Sequence, residues 1–478
     1  MNVASMNVAS MNVDSVEVER IGVPVSGAEI ESFMARLGVA SPAESDGERI
    51  DRIGALEGLK AASAAAQARD IVLFADSQLE DQAVRGVRAK DRGTGIASQV
   101  GLACRQSPHR GSRMLATARA LLIDLPRTFE ALSRGETSEF RASLVAKETA
   151  ILDAEHRRRV DEELGPRLHE LGDRRVEAEA RGWACRLDPE AAVKRASKAH
   201  RDRRVTIRPA PDTMTYLTGL LPVCDGVAVY AALDAAAKAA AAAGDSRARG
   251  QVMADTLVHR VTGTASAEHP VEISIVMTDR TLLEGGDEPA QVPGYGPVPA
   301  EIARCWIRAA LDLDDGDDGD GTGADDLSRR ERARRHERGK VWLQRLFATP
   351  DGRHLVAMDS RRRHFPRRLR QLIELRDQTC ATPYCGAPIR HIDHIEPARR
   401  EGVTSYVNGR GTCARCNHAK EAPGWSAGVT DTTRANSTDP SLDQSGKRDR
   451  VVTLTTPTGH SYANHSPPVH HGAPARAG

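Results

Sequence analysis

The stretch that decides the fold reads CATPYC over residues 380–385, RHIDHIEP over 390–397 and NGRGTCARCNHAK over 408–420. Its four cysteines form two pairs, Cys380-x4-Cys385 and Cys413-x2-Cys416. Adjacent thiolates of one pair can chelate a single ion, and two such knuckles complete a tetrahedral four-cysteine zinc site. A closed four-thiolate site keeps no position open for substrate. The zinc is therefore expected to be structural, stapling a segment too small to fold alone. Pro383, Gly386 and Pro388 supply turns around the first knuckle.

The span between the knuckles carries different chemistry. Asp393 stands beside His394, and Asn417 returns on a later helix. A carboxylate and a carboxamide offer hard oxygen donors that suit magnesium or manganese, with nickel or zinc as softer alternatives. His394, not spent as a ligand, can take a proton from water and direct the hydroxide at phosphorus. The set reads as a hydrolytic metal centre for phosphodiesters. His391, two residues before Asp393, reads as a group behind the metal or in solvent. His418 follows Asn417 by one helical position, turned about 100° from it, and reads as a surface or phosphate-contacting residue. Arg390, Arg399, Arg400 and Arg410 are candidate phosphate clamps, because guanidinium forks match phosphate oxygens.

Outward from this stretch, the chain's 478 residues suffice for two or three domains. Hydrophobic residues make up 40% but aromatics only 3%, so the core is expected to be aliphatic and alanine-filled. The net charge of +1 nominates no partner, but charge is segregated locally. Asp312 to Asp326 is a glycine-rich aspartate run without an EF-hand register, which reads as a flexible acidic linker. Arg329 to Lys340 and Arg353 to Arg370 then form two basic clusters, as nucleic-acid binding requires. No apolar window is long enough to span a bilayer, so no membrane partner is expected. With no secretory signal the expected setting is cytoplasmic and reducing, where cysteines serve as metal ligands or buried thiols before disulfides.

The expected organisation begins with a disordered leader over 1–20, built on MNVAS repeats. A mainly helical domain with a minor strand component follows over 21–311, then an acidic-to-basic linker over 312–340. A nuclease-like module with a basic lead-in helix occupies 341–425, and a largely disordered tail with a short strand near 451–455 closes the chain. Leu115, Leu122, Leu125, Phe129 and Leu132 share a helical face, with Pro126 marking a kink or fresh start. Val227 to Ala243 is a strong helix ended by Gly244, and Val271, Ile273 and Ile275 alternate as a half-buried strand. Gly294-Tyr295-Gly296 lacks the third glycine of a dinucleotide fingerprint and reads as a loop.

With these residues in view, the 380–420 segment resembles the HNH, or ββα-metal, endonuclease module in its zinc-stapled form. The first H falls on His394, the N on Asn408, and the third letter on Asn417, where histidine is commoner. The resemblance implies that Asp393 and Asn417 are metal ligands, His394 the general base, and Asn408 the residue that orients loop and base. It also implies a phosphate contact for Lys420 and DNA as the partner. Phrases such as Thr278-Asp279-Arg280-Thr281-Leu282-Leu283 and Arg376-Asp377-Gln378-Thr379-Cys380 resemble actinobacterial-type proteins that join a domain of unknown function, DUF222, to an HNH module. Three positions depart from that pattern. Glu401 stands where the first of two glycines is usual, Val407 where aspartate is commoner, and Thr412 where leucine would pack beneath the helix. Two other readings compete with a nuclease: a non-catalytic zinc-stapled nucleic-acid-binding module, and an interaction protein whose N-terminal helical domain carries the function.

Overall fold

The computed structural model describes residues 25–263, 275–311, 359–360, 364–397, 400, 402–431 and 450–467. The MNVAS leader, the strand expected at Val271 and Ile273, the aspartate run, the basic clusters before His364, Arg399, Glu401 and the chain after Pro467 lie outside the described residues. The chain divides into two compact units, Met1–Lys198 with His418–Gly424, and Ala199–Asn417 with Trp425–Gly478.

The first unit is built from α1 (Gly27–Gly38), α2 (Asp46–Val84), α3 (Ile96–Ala103), α4 (Pro108–Arg119), α5 (Pro126–Ser133), α6 (Glu139–Glu148), α7 (Ala154–Leu164) and α8 (Asp173–Leu187). Side chains set where these helices start. Ser26 and Ser45 accept the N–H of Glu29 and Glu48, whose carboxylates take the cap N–H in return. Along α2 the buried positions are mostly small, Ala61, Ala65, Ala68, Val72 and Ala75, as an aromatic-poor composition implies. Leu125, Leu132, Val145, Val160, Leu164 and Val176 fill the largest core cluster. Pro126 opens α5 directly after a π-helical turn over Ala120–Asp124, so the apolar stripe from Leu115 to Leu132 is shared by two helices. Gly111 allows α4 to meet α3, since a Cβ there would lie 2.1 Å from the Ala97 carbonyl oxygen.

α9 (Pro189–Arg201) begins in the first unit and ends in the second, where it leads to a hairpin of β1 (Arg204–Pro209) and β2 (Thr215–Leu220). Next come α10 (Val223–Ala242) and α11 (Arg249–Thr262), with Gly244 at a φ of 87° ending α10 where glycine is favoured. α12 (Asp279–Leu283), β3 (Ala290–Val292), β4 (Gly296–Val298) and α13 (Ala300–Leu311) follow. Gly294, at a φ of 81°, sits in the turn of the β3–β4 hairpin, so the failed fingerprint is a turn. Val276 bridges Gln291 just beyond the expected strand.

The C-terminal module contains β5 (Asp359–Ser360), α14 (Arg367–Asp377), β6 (His391–His394), β7 (Thr404–Ser405), β8 (Gly409–Thr412) and α15 (Ala414–Ala419). β6 and β8 pair antiparallel with Asp393 opposite Arg410 and His394 opposite Gly409, and α15 follows β8 directly, giving a ββα order. α14 is amphipathic. Leu369 and Ile373 are buried one turn apart against Phe365 and Tyr406, while Arg367, Arg368 and Arg370 are exposed.

The expectation of a tail with one short strand needs correcting. β10 (Arg450–Thr455) is the centre of a three-stranded antiparallel sheet, flanked by β9 (Ser426–Asp431) and β11 (Ser461–His465). Val452 and Leu454 turn inward at alternate positions, which is the period a sequence reading detects. The flanking strands are polar or small and gain their order from backbone pairing to β10.

Candidate metal and catalytic site

The four cysteines meet. Their sulfurs all lie within 4.8 Å of one another, with Cys385 3.8 Å from Cys413 and 3.6 Å from Cys416. A tetrahedral zinc with Zn–S bonds of about 2.3 Å has sulfur–sulfur edges of about 3.8 Å. The cluster therefore fits that ion. The knuckle is tied to the hairpin by backbone bonds from Ala381 N to Gly411 O and from Arg390 N to Thr412 O. Gly386 supplies the left-handed turn at a φ of 58°. As thiols, the four compete for protons. A hydrogen bond from Cys385 pulls Cys380 down to about 6, while hydrogen bonding with Cys380 pushes Cys416 up. A shared dication removes that competition by letting all four ionise. Among the described residues this is the one group of three or more His, Cys, Asp or Glu side chains poised to hold a metal.

Asn408 closes the loop between the strands. Its Oδ1 accepts from Glu396 N at 2.8 Å, and its Nδ2 donates to the carbonyls of Glu396 at 3.0 Å and Val403 at 2.8 Å. The Asn408 backbone N–H donates to Ser405 Oγ at 3.0 Å. With 7% exposure, this carboxamide is a buried strut that makes both ends of the 396–403 loop converge. Gly402 is needed for the same closure, since a Cβ there would lie 1.8 Å from Glu396 O. The glycine that survives the Glu401-Gly402 departure is thus the sterically required one.

His394 ends β6 and packs its ring against Phe365, centroids 4.6 Å apart. Its Nε2 lies 2.9 Å from the Thr404 hydroxyl. Side chains alternate along a strand, which places Asp393 with His391, Arg410 and Thr412 and places His394 with Ile392 and Gly409. Thr412, the departure from leucine, is fully buried. Its hydroxyl lies 3.4 Å from Asn417 Oδ1 and 3.4 Å from the His391 carbonyl. It therefore links the Asp393-bearing strand to the helix that carries Asn417. As donor types, the Asp393 carboxylate and the Asn417 carboxamide suit a hard divalent ion.

Of the proposed phosphate clamps, Arg390 and Arg400 are exposed. Lys420 lies 3.4 Å from the Glu421 carboxylate. His391 and His418 are exposed, and Asn417 is half-buried. Arg410 differs from expectation, for it is 1% exposed and its Nε and Nη1 have no hydrogen-bond partner. Its place on a paired strand turns the side chain inward, so it presents no surface clamp.

Three buried side chains that order this region had no signal in the motif. Thr404 is one. The others are Arg376 and Arg450, 0% and 4% exposed, which cap the outer edge of β8 where a third strand would otherwise pair. Arg376 donates to the carbonyls of Tyr406 and Gly409, and Arg450 to those of Val407 and Gly409. Asp377 takes both the Arg376 guanidinium and the Gly411 N–H. Burial, with the charges of Arg376 and Arg410 nearby, pushes Arg450 down to about 9.

A ββα unit of this kind, with a four-thiolate staple and an Asp-His pair on its first strand, defines a nuclease-type module, and residues 380–422 match the HNH endonuclease family model. Residues 54–377, more than half of the chain, match the model of DUF222, a domain of unknown function, and the chain belongs to that family. That match runs through α14, which the sequence reading had grouped with the nuclease module. No curated protein and no solved structure matches the chain.

Proposed function

We propose that the protein is a metal-dependent DNA endonuclease that hydrolyses phosphodiester bonds with His394 as general base. The observation that carries this reading is the double restraint on the His394 ring, a 2.9 Å contact from Nε2 to the Thr404 hydroxyl and a face against Phe365 at 4.6 Å. A binding module has no use for an imidazole held in one orientation next to an acidic strand residue. A base does, because proton transfer depends on aim.

Asp393 and Asn417 would hold the divalent ion, magnesium or manganese by their hard oxygens. When bound, that ion polarises the phosphoryl oxygen as a Lewis acid. His394 removes the proton from the attacking water. Asn408 keeps the loop closed behind it, and Arg390, Arg400 and Lys420 neutralise the phosphates of the DNA backbone. Cys380, Cys385, Cys413 and Cys416 hold the structural zinc. A cytoplasmic setting, which keeps the thiols reduced, accords with this set of roles.

The test is His394→Ala with plasmid DNA across magnesium, manganese, nickel and zinc. Cleavage should fall by about 10²–10⁴ while DNA affinity changes by no more than a few fold, since the base makes no phosphate contact. A variant that cuts at the wild-type rate, free of contaminating nuclease, would sink the nuclease reading in favour of the zinc-stapled binding module.

A further inference from the structure

We infer that Thr404 is the positioning residue of the base, fixing by its hydroxyl which nitrogen of His394 faces the water. The inference rests on the nuclease reading and adds to it a group outside the HNH letters. Thr404 is 4% exposed, so its hydroxyl must find a partner within the protein. That partner is His394 Nε2, at 2.9 Å.

Two struts from Asn408 hold Thr404 on either side. The Asn408 Nδ2 donates to the carbonyl of Val403, and the Asn408 N–H donates to the hydroxyl of Ser405. The residue between those anchors has little freedom, so its hydroxyl meets the imidazole at a fixed place. Asn408 itself makes its hydrogen bonds to Glu396, Val403 and Ser405, and its influence on the base passes through Thr404.

The proton accounting gives the hydroxyl its purpose. For Nδ1 to accept the proton of water, Nε2 must carry a hydrogen and Nδ1 must not. The Thr404 hydroxyl, 2.9 Å from Nε2, can accept that Nε2–H, so the required tautomer keeps this hydrogen bond. When water gives its proton to Nδ1, hydroxide attacks phosphorus and the P–O bond to the leaving oxygen breaks; that oxygen keeps the electron pair and takes a proton from solvent. The Nε2–H stays on Thr404 throughout. The same hydrogen bond thus serves the neutral ring and the imidazolium, and the ring need not turn between them.

A pair of substitutions separates the hydroxyl from the shape. Thr404→Val keeps the branched volume and removes the acceptor; Thr404→Ser keeps the acceptor and removes the methyl. Cleavage by the full chain should fall about 10–100-fold in Thr404→Val, the usual worth of a group that orients a site residue, and stay within a few fold in Thr404→Ser. Zinc content, thermal midpoint and DNA affinity, measured on the same samples, should match wild type. In a His394→Ala background, Thr404→Val should cost nothing further, because the two act as one unit. If Thr404→Val fails to fold, Thr404→Ala removes the hydroxyl without demanding space and carries the same comparison. The opposite order, Ser inactive and Val active, would show a packing role and overturn the inference. Wild-type cleavage by Thr404→Val with His394→Ala inactive would overturn it while leaving the nuclease reading intact. Wild-type cleavage by His394→Ala would instead remove the reading itself.

Discussion

Asn417 and His418 are neighbours on α15, yet Asn417 is half-buried with its Oδ1 3.4 Å from the Thr412 hydroxyl, whereas His418 is exposed. One residue of register therefore separates the proposed metal ligand from a surface group. Asn417→Ala should lower the cleavage rate on the order of 10²-fold, because metal polarisation is worth several kcal/mol. His418→Ala should change it little. Asn417→His should move the metal preference toward nickel or zinc, which imidazole suits. Rates for the three variants across a panel of divalent ions check the assignment, and a reversed order for the two alanine variants would refute it. The four cysteines of this module were legible because metal ligation demands residue types at fixed spacing. Thr404 was not, since a threonine near a loop has many uses and only the fold brings it to His394. Arg410 shows the opposite error. Its charge suggested a surface, and the strand it occupies put it inside.

Among the elements, the first knuckle is too short to hold a conformation by burial. Its turn includes Tyr384 and Gly386, both at positive φ, and its backbone leans on β8 through Ala381 and Arg390. Metal binding supplies what packing does not, and binding free energy there is folding free energy. Cys385→Ser should lose the tightly held zinc and open the stretch from α14 to α15 to protease, while α1 to α8 keep their protection. Metal analysis and limited proteolysis on one preparation report both effects; full zinc occupancy in the variant would contradict a four-cysteine site. Element legibility followed period. The 3.6-residue stripe of the leucines around Pro126 and the alternation in β10 were readable. β9 and β11 were not, because Ser426 to Asp431 and Ser461 to His465 carry little apolar pattern and owe their order to the strand between them.

For the molecule as a whole, the two family matches describe neighbouring stretches of sequence, and the nuclease match stops at residue 422. The structure carries the module further. Arg450 reaches back from β10 to the carbonyls of Val407 and Gly409, on either side of Asn408. Losing it takes both guanidinium donors from the Val407 carbonyl, at a cost of about 1–3 kcal/mol, while Arg376 still serves that of Gly409. Arg450→Met in the full chain should keep its zinc, melt at lower temperature and cleave more slowly. A melting curve and rate equal to wild type would show that β8 needs no such clasp.

That clasp has a consequence for how the protein is made. A chain leaves the ribosome from its N-terminus, and domains fold in that order. Both knuckles and the His394 strand emerge well before residue 450. The Val407 carbonyl therefore stays open through much of synthesis, while that of Gly409 already has Arg376, and the loop proposed to aim the base is tightened late. A site assembled in that sequence gains its last restraint only when synthesis is nearly complete.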